Sequence, residues 1–342
     1  MINKAIPLAA TAAAIGTIAI GSTAQAGPVL DAVQERGVLH CGVNTGLAGF
    51  SIPDSQGNWT GLDVDFCRAI AAAILGDPEA VEFTPLSAQQ RFTALQSGEI
   101  DVLSRNTTWT LTRDTSLGTN FAGVTFYDGQ GFMVPAELGV SSAMELSGAT
   151  VCVQPGTTTE LNLADFFRAN DMEFEPVVIE QLSEVNAAYF SGRCDVYTTD
   201  RSGLASIRTE APDPSAHVIL PETISKEPLG PVVPHGDDQF LDIVKWVVYA
   251  TIEAEEYGVN SGNLDEMMES DNPVVQRLLG VSPGMGEALG LDDEWAVRAI
   301  ESVGNYGEIF DRNVGPDTAI GLDRGVNALW TDGGLMYAMP VR

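Results

Sequence analysis

Arg113 closes a run of small hydroxyl and amide side chains, Asn106-Thr107-Thr108-Trp109-Thr110-Leu111-Thr112, and Asp200 closes a second, shorter run, Thr198-Thr199. A guanidinium among neutral hydrogen-bonding groups can hold a carboxylate through two parallel charge-assisted bonds. An aspartate in the corresponding place can meet an ammonium group. Together they form the charge pair that a zwitterionic α-amino acid requires. Gly156-Thr157-Thr158-Thr159-Glu160 has the pattern of a helix N-terminus, where backbone N–H groups favour a carboxylate. Asp200 also argues against a dicarboxylate without an amine, because it repels a second carboxylate in a dry cleft.

Such residues need a scaffold that brings distant loops together. Val38 to Val43 reads as a strand ending in the turn-prone Asn44-Thr45-Gly46. Leu62, Phe66, Ile70 and Ala73 or Ile74 then recur at helical spacing, with Asp63 and Asp65 in the first turn and Gly76 and Pro78 as the stop. Val81 to Phe83 predicts a second strand. Ser87 with Gln90 predicts a capping box ahead of a helix ended by Gly98, and Ile100 to Leu103 predicts a third strand. Strands alternating with helices at this spacing imply a parallel α/β sheet.

The first half has an echo. Ala94-Leu-Gln-Ser-Gly-Glu-Ile-Asp-Val-Leu103 returns as Ala188-Tyr-Phe-Ser-Gly-Arg-Cys-Asp-Val-Tyr197, and each copy follows a cysteine-bearing strand and turn, around Cys41 and around Cys152. This order predicts two lobes of similar topology. In open α/β sheets ligands bind beyond the carboxyl ends of the strands, which is where Arg113 and Asp200 fall. The chain has two places to cross between lobes, Gly129 to Gly131 and Leu229 to Pro234. Asp238 to Tyr257 predicts one long helix, and the glycine-rich remainder from Gly258, with short helical pieces such as Asp292 to Val303, predicts an extension packed on the first lobe.

Composition bounds the partners. The chain carries 17 Lys+Arg against 47 Asp+Glu, which excludes nucleic acid and anionic lipid, since both are bound through basic residues. Residues 1–26 have a short basic start, an apolar stretch and Ala24-Gln25-Ala26, the pattern of an export signal cleaved after Ala26. In an exported chain Cys41, Cys67, Cys152 and Cys194 predict disulfides. Three connectivities are possible, and Cys41–Cys67 with Cys152–Cys194 is favoured because each bridge then falls within one lobe. No CxxC spacing marks a metal site, and no cofactor motif is present. The three histidines, His40, His217 and His235, stand in no recognisable catalytic arrangement.

Gly61-Leu62-Asp63-Val64-Asp65-Phe66, continuing through Ile70 and Ala71, resembles the signature of the periplasmic solute-binding proteins of ABC importers for polar amino acids. The similarity runs from about residue 38 to 257, and the extension with both cysteine pairs is most similar to the general L-amino-acid-binding branch. The resemblance implies a two-lobed periplasmic-binding-protein fold: two Rossmann-like α/β lobes, a two-stranded hinge and a C-terminal helical extension. Residues 27–130 and 232–342 would form lobe 1, with the extension from about 258, and 131–231 lobe 2. It implies a periplasmic, monomeric receptor that passes free L-amino acids of polar, acidic or amide type to a membrane permease. It places the carboxylate clamp on Arg113, hydrogen bonds to ligand carboxylate and amine on Asn106 and Thr108, the amine-binding acid on Asp200, and second-lobe contacts on Thr157, Thr158 and Thr159. Arg91 falls where acidic-amino-acid binders contact the ligand side chain, and Asn44 and Thr199 complete the expected set. Two positions depart from the family pattern, Ala88 for a stacking aromatic and Thr199 for a histidine. The alternative is a secreted enzyme on the same fold, similar to the cyclohexadienyl or arogenate dehydratases.

Overall fold

The computed structural model describes residues 27–342; the export signal and its cleavage lie outside the described residues. Helix α1 (Pro28–Arg36) precedes strand β1 (Leu39–Asn44), the small hairpin of β2 (Ile52–Pro53) and β3 (Trp59–Thr60), and helix α2 (Leu62–Leu75). Then come β4 (Val81–Leu86), α3 (Arg91–Ser97), β5 (Val102–Leu103), α4 (Leu111–Ser116), β6 (Thr119–Phe121) and β7 (Phe126–Asp128). The second half continues with β8 (Gln130–Pro135), β9 (Ala149–Val153), α5 (Thr158–Ala169), β10 (Phe174–Val178), α6 (Leu182–Phe190), β11 (Val196–Asp200) and α7 (Arg201–Arg208). Strands β12 (His217–Ile219), β13 (Glu227–Leu229) and β14 (Val232–Pro234) lead into the long helix α8 (Asp238–Glu256).

These strands make two sheets of matching design, β4-β1-β5-β14-β6 and β10-β9-β11-β8-β12. In the first, β1 runs parallel to β4 and β5; in the second, β9 runs parallel to β10 and β11. Each sheet is completed by antiparallel strands, β14 and β6 in one, β8 and β12 in the other. The sequence echo therefore corresponds to a repeated βαβ arrangement. Between the sheets the chain passes outward on β7 and back on β13, which pair antiparallel and place Glu227 opposite Asp128.

Local chemistry explains the elements that carry the loops. Gly61 has φ 134°, and a Cβ there would lie 2.1 Å from the Phe50 carbonyl oxygen, so only glycine lets α2 begin against that turn. From it α2 buries Phe66, Cys67, Ile70 and Ala71 completely. Ser87 and Gln90 exchange the expected reciprocal hydrogen bonds, both 3.3 Å, and Gly98 at φ 75° ends α3 in a left-handed cap. Disulfides join Cys41 on β1 to Cys67 on α2, and Cys152 on β9 to Cys194 just before β11. The extension is helical over Trp295–Val303, which packs on α2 and α8.

Asp63 and Asp65 have more specific roles than favouring the α2 dipole. Asp65 accepts from Arg312 and Asn313, both at 2.6 Å, and so fastens the extension to the first sheet. Asp63 turns toward the loop after β5, where its carboxylate accepts from the Asn106 backbone N–H at 2.8 Å.

Candidate functional site

The loops after β1, β5 and β9, the end of β11 and the first turns of α3, α4 and α5 converge between the sheets. In the β5 loop, Asn106 adopts φ 31°, an uncommon left-handed conformation that the Asp63 contact holds in place. Burial pushes the Asp63 carboxyl up to about 7, against the Asn106 N–H, the nearby Arg105 guanidinium and Ser104, which favour its ionised form. The Asn106 side-chain oxygen accepts from the Asn44 amide at 3.0 Å, which ties the β5 loop to the end of β1.

Arg113 lies in α4, whose Thr110 side chain accepts from the Arg113 backbone N–H. The residue is 8% exposed, and its guanidinium donates to the Thr108 carbonyl at 3.0 Å and sits 5.2 Å from the Phe92 ring centroid. Arg91 stands at the same distance from that ring and is 3% exposed, and its Nε has no hydrogen-bond partner among the described residues. Burial depresses both guanidiniums. Arg91 is further depressed by Arg113 and Arg105, while Asp200 and Glu227 oppose the shift. Arg105, also buried, is pushed down to about 10 by burial and donates to the Leu86 carbonyl at 3.0 Å.

Asp200 approaches from the second sheet. It occupies the N-cap position of α7, yet its side chain makes no capping bond and accepts no hydrogen bond among the described residues, although it is only 6% exposed. Burial raises its carboxyl well above the usual range; Asp128 and Glu227 add to this, and Arg91 and Arg113 oppose it. The two arginines of one lobe and the aspartate of the other thus share one electrostatic environment. Asp200, which accepts no hydrogen bond among the described residues, and Arg91, whose Nε has none, are buried polar groups whose desolvation nothing in their own lobes offsets.

The three threonines after Gly156 have different partners. The Thr157 hydroxyl caps α5 by accepting from Glu160 N at 3.1 Å and donates to the Gln154 carbonyl at 2.8 Å. The Thr159 hydroxyl donates to that of Thr157 at 2.9 Å. Both are engaged inside their own lobe, and Glu160 holds the Gly156 N–H, so this helix start is less open than its sequence suggests. Thr158 faces across the gap, 3.3 Å from the Thr108 hydroxyl. Thr199 packs toward Gly203 of α7 and makes no side-chain hydrogen bond among the described residues.

Several residues of the site went unread in the sequence. Glu227 on β13 is 1% exposed and accepts from Thr108, Thr158, Asn162 and Ser225. Its signal was a single acid two residues ahead of the crossing segment expected at Leu229 to Pro234. Asp128, opposite it, takes hydrogen bonds from Ser202, and burial raises its carboxyl to about 6. Nothing in the sequence marked Phe92 as a platform for two guanidiniums.

The lobes are in contact around the site. Ser87 donates to Glu180 at 2.7 Å, and Ser206 donates to the Ala48 carbonyl at 2.7 Å. A cavity of about 1040 Å³ opens beside the site, lined by Asp128, Ser202, Glu227, Tyr127, Arg208 and Lys226 among others, and Arg91, Arg113 and Asp200 do not line it.

Residues 39–260 match the bacterial extracellular solute-binding proteins, family 3. Over 334 residues (96% of this chain, 98% of the relative) the sequence is 59% identical to the general L-amino acid-binding periplasmic protein AapJ of Rhizobium johnstonii. It is 56% identical over 329 residues (96% and 97%) to the glutamate/glutamine/aspartate/asparagine-binding protein BztA of Rhodobacter capsulatus. The fold superposes with a TM-score of 0.90 on an ABC transporter/periplasmic binding protein from Brucella ovis with glutathione bound, at 57% identity over 92% of this chain and 99% of that one. The repeated sheets, the paired crossing strands and these likenesses establish that the chain belongs to the family 3 bacterial extracellular solute-binding proteins.

Proposed function

We propose that this protein captures free L-amino acids between its two lobes in the periplasm and delivers them to the permease of an ABC importer. The observation that carries the reading is Asp200, buried without a hydrogen-bond donor among the described residues and within electrostatic reach of Arg91 and Arg113 of the other lobe. Arg113 takes the α-carboxylate and Asp200 the α-ammonium. Asn44, Asn106, Thr108 and Thr158 complete the polar wall, and Arg91 meets an acidic or amide side chain. The names of the relatives, general L-amino acid binding in one and glutamate, glutamine, aspartate and asparagine in the other, support a receptor of broad polar specificity over an enzyme. We take residues 27–130 with 232–342 as one lobe and 131–231 as the other, in a monomer released by cleavage after Ala26.

A second ligand merits a place in the same test. The Brucella ovis structure holds glutathione, whose γ-glutamyl end carries the α-amino and α-carboxyl groups of an amino acid. The experiment is a thermal-shift screen of the mature protein against the common L-amino acids and glutathione, followed by calorimetry on the hits, since a ligand of the folded state raises the melting point by mass action. Acidic and amide amino acids should give the largest shifts. A flat profile across the whole panel would reject the receptor reading.

A further inference from the structure

Glu227 has a bonding pattern that decides the chemistry of its neighbours. One carboxylate oxygen accepts from Thr108 Oγ1 at 2.6 Å and Thr158 Oγ1 at 2.8 Å; the other accepts from Asn162 Nδ2 at 2.8 Å and Ser225 Oγ at 2.6 Å. An ionised carboxylate only accepts, and a hydroxyl has one proton and two lone pairs. Both threonine protons are therefore committed to Glu227. The 3.3 Å contact between the two hydroxyls is then a meeting of acceptors, and what each has left to offer a ligand is a lone pair.

We infer that Glu227 is a positioning residue that makes Thr108 and Thr158 a paired acceptor for the ligand's ammonium group, so that the site selects for an α-amine. Thr108 comes from the first lobe and Thr158 from the second, whereas Glu227 lies on the crossing strand between them. The acceptor pair is assembled only where all three meet, which ties amine recognition to lobe closure. Glu227 acts through the threonines because its own acceptor positions already hold four donors. The inference rests on the amino-acid reading above and adds the source of its amine selectivity.

The test compares each amino acid with the same acid lacking the amine: L-glutamate with glutarate, L-glutamine with glutaramate, L-alanine with propanoate. Calorimetry gives the affinity ratio within each pair. In Glu227→Gln the amide must donate where the carboxylate accepted, freeing a threonine proton to turn toward the ligand. The ratio should fall at least tenfold, mainly through weaker amino-acid binding. A uniform loss for both members of a pair, leaving the ratio unchanged, would mark Glu227 as merely structural and overturn the inference. Should Glu227→Gln not fold, Thr158→Val and Thr158→Ser give the same reading: the first should lower the ratio and the second keep it within threefold. An unaltered ratio in Thr158→Val also overturns the inference, with the receptor reading intact as long as wild type binds amino acids. Wild type binding none of the probes would remove both.

Discussion

Replacing Arg113 by alanine should all but abolish amino-acid binding and leave the fold standing. The guanidinium is buried, and among the described residues it makes one hydrogen bond, to the Thr108 carbonyl, and stands over the Phe92 ring. Two charge-assisted bonds to a ligand carboxylate contribute about 1.5–3 kcal/mol each. Their loss of about 3–6 kcal/mol corresponds to roughly 150-fold to more than 10,000-fold in affinity. The structural cost is smaller, because burial already works against the charge that alanine removes. Without ligand, the melting temperature should therefore fall by only a few degrees. Arg113→Lys separates charge from geometry, since an ammonium keeps the charge and loses the planar fork. It should forfeit about one of the two bonds and bind roughly ten- to 150-fold more weakly. Isothermal titration with L-glutamate and L-glutamine, alongside melting curves without ligand, provides both readouts. An Arg113→Ala protein that binds within tenfold of wild type would refute the carboxylate clamp.

The remaining predictions concern specificity and pH. Arg91→Ala should weaken acidic and amide ligands by tenfold or more and alanine or serine little; equal weakening across the panel would give Arg91 a structural role instead. Stability without ligand should decline as pH rises from about 4 to 7. Asp63, raised to about 7, Asp128, raised to about 6, and Glu253, a buried residue of α8 that accepts from the Val341 N–H and is raised by burial to about 7, hold protons in the folded state that the unfolded chain has already released. Their folded-state pKa values are raised, so the penalty appears above the unfolded value and is complete near pH 7. Melting temperatures at pH 5 and pH 8 should differ accordingly, and Asp63→Asn should shrink the difference; a variant with the wild-type slope would show that Asp63 is ionised in the fold.

Much of the architecture was legible because it rests on local patterns. The glycine stop at Gly98, the Ser87–Gln90 box and the apolar stripe of α2 are short-range features, and each specifies a helix boundary or a buried face without reference to the rest of the chain. The two-lobe plan came from an echo in sequence, and the repeat appears as two sheets with the same strand order. Arg113 and Asp200 could be singled out because a charged residue ending a polar run just past a strand is unusual enough to notice.

Only the tertiary structure could sort residues of the same type by role. Thr157, Thr158 and Thr159 look alike in sequence, but helix capping ties up the first, the first engages the third, and only Thr158 turns to the other lobe. Glu227 and Asp128 are about a hundred residues apart, and strand pairing sets them opposite each other beneath the site. Sequence determined which groups exist and which strands and helices carry them, since those depend on neighbours a few residues away. Which hydroxyl donates, which carboxylate lies unpaired and which guanidinium faces it depend on long-range packing and the exclusion of water, and these arise only when the two lobes meet.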